Sequence, residues 1–221
     1  MIKGEKIIVL LSGGIDSTTL LWLSKKMFSE VYTISFNYGQ RHLVELEYAL
    51  TLGKMAGIKE HFVVNIPHLK GLKGNALTDT DVTVPLEDYP DQPPITTVPM
   101  RNLIFLSIAA SYADIYEIEN IGIGIHSLDS PYPDCRAEFA SSVEAAINAS
   151  SIMVAKKKNR IKVFTPFLGM TKKDIVKLGS SLGVPFDKTY SCYKGTNPPC
   201  GECATCRQRD DALRSIHQED K

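Results

Sequence analysis

The stretch KIIVLLSGGIDSTTLLWLSKKM at residues 6–27 constrains the rest of the chain, because an apolar run breaks into two glycines and resumes at once with helical spacing. Ile7, Ile8, Val9, Leu10 and Leu11 form the near-continuous apolar run of a strand buried on both faces, as in a parallel sheet. Beyond Gly13 and Gly14, the residues Leu20, Leu21, Leu23 and Met27 recur at helical intervals, so the first amides of that helix point into the turn. A glycine turn at a helix start suits phosphate. Gly13 and Gly14 let the chain wrap closely round an anion, Ser12, Ser17 and Thr18 supply hydroxyls, and the helix dipole favours negative charge. Asp16 is the odd member, since a bare carboxylate beside phosphates repels them. Either a divalent cation lies between, which is the favoured reading, or Asp16 only starts the helix.

The string has neither the lysine of the Walker A loop nor the third glycine of the dinucleotide fingerprint. SGGIDS instead resembles the PP-loop of the ATP pyrophosphatases, enzymes that split ATP into AMP and pyrophosphate to adenylate a substrate. The resemblance implies a Rossmann-like α/β domain with a parallel sheet. It also implies nucleotide contacts from Leu11, Ser12, Gly13, Gly14, Ile15, Asp16, Ser17 and Thr18, with Asp16 and Ser17 close to the chemistry.

With 221 residues, 43% hydrophobic and 23% charged, the chain suffices for one α/β domain and a small appendage. Twenty-five basic residues balance 25 acids, so bulk charge gives no reason to expect nucleic acid or a membrane surface as partner. No apolar run approaches a bilayer span and no signal-peptide pattern precedes the first strand, so a cytoplasmic protein is expected. Five cysteines, four of them clustered near the C-terminus, then argue for a metal site over disulfides.

Along the chain, residues 31–37 read as a second strand and Gly57 stops an amphipathic helix that begins near Leu43. A third strand follows at 61–66. Such alternation makes a parallel sheet that binds ligands at the carboxyl ends of its strands, so residues 12–17 and 35–40 should share a crevice. An adenine there would meet Ser35 and Gln40. Residues 67–99 carry six prolines and no periodic pattern, which suits a lid or a surface excursion. A buried helix is expected over 100–118, with Arg101 at its start placed to meet a phosphate. Residues 120–126, alternating glycine with isoleucine, read as a strand where another backbone or a ligand comes close. The following loop groups Asp129, Asp134, Arg136 and Glu138. These charges either serve the crevice or only build turns, with Asp134 capping a helix running to about Ala155. Cys135 has no activating base in view and reads as structural. The basic run at 156–162 reads as solvated surface, residues 161–166 as the last strand, and Thr171 with Asp174 as a capping pair for a helix over 172–182. His61, His68, His126 and His217 lack metal-ligand spacing and take ordinary polar roles by default.

Cys192, Cys200, Cys203 and Cys206 give Cys-x7-Cys-x2-Cys-x2-Cys. Four thiolates suit either a closed tetrahedral zinc site or an iron–sulfur cluster; with all four ligands occupied and no redox motif, zinc is preferred. A saturated cage offers no open position, so its role is to hold the tail and a final helix over 204–217 against the domain.

Over nearly its whole length the chain resembles the 7-cyano-7-deazaguanine synthase family. The resemblance is carried by LSGGIDSTT at 11–19, YGQRH at 38–42, PMRN at 99–102, YPDCRAEF at 132–139, TPF at 165–167, and TYSCY with PCGECATCRQR to residue 209. It implies ATP, magnesium, one zinc, ammonia and 7-carboxy-7-deazaguanine, with two AMP and two pyrophosphate released per nitrile, and a homodimer. Asp129 or Asp134 would accept from the deazaguanine N–H groups, while Arg136 or Arg101 would face the acid or the phosphates. Residues 1–185 are expected to form the PP-loop domain and 186–221 a small zinc-binding region. A PP-loop enzyme of tRNA thiolation, which needs a basic surface and a catalytic cysteine, and a non-catalytic zinc-ribbon adaptor are the alternatives.

Overall fold

The computed structural model of the chain describes residues 5–86 and 93–218, with side chains as far as residue 215. Five parallel strands, β1 (Lys6–Leu10), β2 (Glu30–Asn37), β3 (Glu60–Asn65), β4 (Asn120–Gly122) and β5 (Lys162–Phe164), form one sheet in the order β3-β2-β1-β4-β5. The order reverses at β1, so a crevice opens above the carboxyl ends of β1 and β4.

Alternation along β1 sends side chains to two cores. Ile8 and Leu10 pack with Leu106, Ala109 and Ala113 of α3 (Arg101–Tyr116) and with Val143 and Ile147 of α4 (Ala137–Ser150). Ile7, Val9 and Leu11 face Leu20 and Leu21 of α1 (Ile15–Met27), Ala49 of α2 (Glu45–Ala56), and Ile175 and Val176 of α6 (Lys172–Leu182). A central strand covered by helices on both faces has no solvent side, which is why residues 7–11 carry no polar residue. Ala212 of α7 (Ala204–Gln218) joins this second core, so the final helix packs with the helices of the nucleotide loop.

Several expectations need correction. The strand expected over 120–126 ends at Gly122, and the chain beyond it turns into the crevice. A Cβ on Gly124 would lie 3.3 Å from both the Asp16 carbonyl carbon and the Ser17 nitrogen, so the close partner there is the first turn of α1. The helix expected to reach Ala155 breaks at Ser151. The Asp114 carboxylate accepts from the amides of Ile152 and Met153 at 2.8 and 2.9 Å, which starts the short α5 (Ile152–Ala155). Asp134 caps α3 instead of α4: it sits in a tight turn, Pro133–Cys135, and accepts from the Asn102 amide at 2.9 Å. The expected capping pair at α6 is present, with Thr171 N–H donating to Asp174 at 2.8 Å.

The expected lid at 67–99 is largely a packed plug, with residues 87–92 outside the described part. A tight turn, Pro67–Gly71, leads into buried Asn75, Ala76, Leu77, Thr78 and Asp79. The Asn75 side chain accepts from the amides of Leu77 and Thr78, and the Arg41 guanidinium donates to the carbonyls of Asp79 and Val82. Ala76 and Val84 pack against Tyr190, Cys192, Cys203 and Cys206. Anchors of this kind oppose lid motion.

Candidate active site

The glycine turn closes over the N-terminus of α1. Gly13 adopts φ +78°, and a Cβ there would lie 2.9 Å from the Glu45 carbonyl oxygen and 3.0 Å from the Ala49 nitrogen of α2, so only glycine fits without strain. Its carbonyl accepts from the Tyr190 amide at 2.9 Å, which ties the loop to the cysteine-bearing segment. Ser12 N–H donates to Ser17 Oγ at 3.2 Å, and the two hydroxyls lie 3.0 Å apart. No side chain caps α1, in contrast to α6. An uncapped first turn beside an open cleft is an anion acceptor.

Asp16 stands at that turn. Its Oδ2 accepts from Lys172 Nζ and lies 3.7 Å from His126 Nε2. Burial alone would raise its carboxyl, but Lys172 and then His126 outweigh it and hold Asp16 well below the ordinary carboxylate range. Asp16 Oδ1 is buried and has no hydrogen-bond partner. A buried ionised oxygen without a donor fits a hard cation, so the donor set suits magnesium.

Two chambers meet at this loop. The inner one, about 250 Å³, lies over the ends of β1, β2 and β4 and is lined by Leu11, Phe36, Tyr38, Glu45, Arg101 and Phe105 among others. Phe36 and Phe105 stack at 4.1 Å, which gives it an aromatic wall. Glu45 is pushed up to about 8 by burial, against the Gln40 amide and Arg101. The outer chamber, about 450 Å³, is lined by Asp16, His126, Lys172, Ser191, Thr205 and Gln208 among others. Ser12, Asp16, Asp129, Tyr132 and Tyr193 line both. Burial lifts the Asp129 carboxyl above its ordinary value, with His126 opposing and Asp16 adding to the rise.

The four cysteines converge as their spacing predicts. Their sulfurs all lie within 4.8 Å of one another, and Cys200 and Cys206 are 4.0 Å apart. A zinc tetrahedron with bonds of about 2.3 Å has sulfur–sulfur edges of about 3.8 Å, so the thiols fit that ion. Amides of Cys200 and Cys203 point at the sulfurs of Cys192 and Cys200 at 3.4 Å, the backbone support a thiolate cage needs.

A family model for queuosine biosynthesis protein QueC matches residues 6–217 of this chain. The chain belongs to the QueC family. The 7-cyano-7-deazaguanine synthase of Sulfurihydrogenibium sp. (strain YO3AOP1) is 78% identical over 219 residues, covering 99% of each chain. That of Persephonella marina (strain DSM 14350 / EX-H1) is 68% identical over 220 residues, covering 100% of this chain and 97% of the relative. Among solved structures, NMN synthetase from Francisella tularensis shares the fold at a TM-score of 0.53 and 16% identity, covering 98% of this chain and 87% of that one.

Within this QueC-family site, the residues expected from sequence divide. Leu11, Ser12, Asp16, Ser17, Arg101 and Asp129 line the inner chamber, and Gly14 lines the outer. Ile15 and Thr18 are buried under the loop, the Thr18 hydroxyl donating to Gly14 O at 2.7 Å. Ser35 and Gln40, expected against adenine, are buried braces. The Ser35 hydroxyl donates to Leu11 O; Gln40 accepts from Tyr38 N–H at 2.8 Å and donates to Phe36 O at 2.9 Å and Glu45 at 3.0 Å. Their polar atoms are engaged within the chain and neither lines a chamber. Asp134 and Arg136 also fall outside, the first as the α3 cap and the second donating to Ser130 O at 3.0 Å. Cys135 lines the inner chamber, and burial pushes its thiol well up, which removes the reactive thiolate a thiolation enzyme needs. Lys158 of the basic run pairs with Glu117. His126, Lys172, Glu45 and the ring-bearing Tyr38, Tyr132 and Tyr193 went unassigned in the sequence. His126, at the carboxyl end of the β4 segment, and Tyr38, at that of β2, carried a positional signal. Among the described residues, no helix is long and apolar enough to cross a membrane.

Proposed function

We propose that this chain is a 7-cyano-7-deazaguanine synthase, an ATP-dependent carbon–nitrogen ligase that converts 7-carboxy-7-deazaguanine and ammonia to the nitrile precursor of queuosine or archaeosine. The observation that carries the reading is full-length likeness to relatives of that name, in a chain whose glycine turn lies where two chambers join. In this reading residues 1–185 bind the nucleotide and 186–221 carry the metal.

Adenosine takes the aromatic inner chamber, the phosphates lie on the uncapped first turn of α1, and the acid enters the outer chamber. Bound magnesium would neutralise phosphate charge, held by Asp16 through Oδ1. Zinc on Cys192, Cys200, Cys203 and Cys206 would supply rigidity rather than chemistry. Ser12, Ser17 and Lys172 bring donors to the junction, where one acid oxygen attacks the α-phosphorus and pyrophosphate leaves. Ammonia then attacks the carbonyl carbon, AMP departs with that oxygen, and the ammonium proton is lost. The amide oxygen is adenylated in the same way. Loss of the second AMP and the nitrogen protons leaves the nitrile, so the one loop serves both rounds. Asp129, which lines both chambers, would accept from the deazaguanine N–H groups.

The test follows the oxygens. Acid labelled with ¹⁸O in both positions, incubated with ATP, magnesium and an ammonium salt, should give one label in each of two AMP molecules per nitrile. Release of ADP, or AMP without label, overturns the reading.

A further inference from the structure

Among the described residues, three carboxyl-bearing side chains line the inner chamber: Asp16, Glu45 and Asp129. Asp16 and Asp129 line the outer chamber as well, whereas Glu45 lines the inner one alone. Its side chain is only 12% exposed, beside a stacked aromatic pair. A carboxyl group in such a place costs desolvation that a polar partner in the chamber would repay.

The pose of Glu45 is fixed by its neighbours. Tyr38 N–H donates to Gln40 Oε1 at 2.8 Å, which leaves Gln40 Nε2 to donate to Phe36 O at 2.9 Å and to Glu45 Oε1 at 3.0 Å. Turning that amide over would set its oxygen against the Phe36 carbonyl, so Glu45 Oε1 is an acceptor. The other oxygen, Oε2, lies 3.4 Å from Nε2 of buried His42, and burial keeps this imidazole neutral by pulling it down to about 3. Burial also favours the neutral form of Glu45, whose proton then belongs on Oε2 beside His42, because Gln40 donates to Oε1. A carboxylate offers about four lone-pair sites, and Gln40 fills one of them, so acceptor capacity remains for a donor in the chamber.

Adenine carries an N–H donor at position 6, where a guanine-type base carries an oxygen acceptor. We propose that Glu45 selects the base of the nucleotide, accepting from the 6-amino group of an adenine held in the aromatic inner chamber. A 6-oxo purine sets its oxygen against the same lone pairs and is refused. Gln40 acts through Glu45, holding the carboxyl in the pose that meets the amino group. The inference rests on the reading of the inner chamber as the site of adenosine.

The zinc-loaded protein with magnesium is titrated calorimetrically with three non-hydrolysable purine nucleoside triphosphates that differ at position 6: amino, unsubstituted and oxo. Wild type should bind the 6-amino compound about tenfold more tightly than the unsubstituted one, the effect of one hydrogen bond, and the 6-oxo compound more weakly still. Glu45→Leu should bring the 6-amino and unsubstituted compounds within about twofold of each other. In Glu45→Gln the amide oxygen stays with Gln40 and the nitrogen replaces Oε2, so the 6-oxo compound should rise above the unsubstituted one. These ratios read the contact itself, because a weaker grip on the phosphates or a partly unfolded sample lowers all three affinities alike. A 6-amino preference that is absent in wild type, or undiminished in Glu45→Leu, overturns the proposal; should that variant not fold, an undiminished preference in Glu45→Gln does the same. A wild-type protein that binds none of the three overturns the proposed function instead.

Discussion

Gly13 and Gly14 are adjacent in sequence, yet replacing them with alanine should have very unequal consequences. Gly13 sits at φ +78°, a left-handed conformation that costs an L-residue about 1–2 kcal/mol. Its added Cβ would also lie 2.9 Å from Glu45 O and 3.0 Å from Ala49 N, both backbone atoms of α2 that cannot rotate aside. Overpacking of this kind adds about 1–3 kcal/mol. The sum, about 2–5 kcal/mol, corresponds to a fall in Tm on the order of 10 °C for a chain of this size. Gly14 has φ −77° and ψ 168°, which alanine adopts freely, and a Cβ there meets nothing nearer than 3.5 Å. Alanine is a poorer helix cap by about 0.5–1 kcal/mol. It also restricts the unfolded chain by about 0.4–1 kcal/mol, so the two effects nearly cancel. Scanning calorimetry of the zinc-loaded proteins reads the difference. A Gly13→Ala protein melting within about 2 °C of wild type, or a Gly14→Ala protein falling as far as Gly13→Ala, would refute the reasoning.

Four further outcomes follow from the same geometry. Glu45, with its carboxyl raised from 4.5 to about 8, favours the folded state while protonated, so its contribution is present at low pH and lost as pH rises through 8. Urea melts should therefore show wild type losing on the order of 4 kcal/mol relative to Glu45→Gln between pH 5 and pH 9, and parallel pH profiles would exclude this account. Asp16 behaves in the reverse sense: its depressed carboxyl stabilises above the ordinary carboxylate range, and that contribution disappears as pH falls. Lys172→Met should destabilise by on the order of 3 kcal/mol at pH 7 and flatten the acid limb, with Asp16→Asn restoring much of the loss in the double variant. Removing the metal with a chelator should release the loop as well as the tail, because Tyr190 bonds Gly13; near-ultraviolet dichroism and affinity for an ATP analogue should fall together. In zinc-loaded protein, iodoacetamide at pH 7.5 should leave Cys135 unlabelled by peptide mass spectrometry, since burial keeps it a thiol.

The sequence by itself determined the parts that depend on local backbone chemistry and short spacing. An apolar run without polar residues required a central strand, two glycines before helical spacing required a turn at a helix start, and four cysteines within 15 positions converged into one cage. Thr171 with Asp174 marked a helix start correctly for the same reason. For Asp134, Ser35 and Gln40 the sequence left two roles open, because a polar side chain near a strand end serves the crevice or the backbone equally well and nothing local separates the two. Only the tertiary structure decided that Asp134 caps a helix starting 33 positions earlier, that Lys172 from α6 meets Asp16 from α1, and that the cysteine segment walls the cleft. Those contacts join residues separated by tens or hundreds of positions, and they arise because the strand order reverses at β1 and brings distant loops over one crevice.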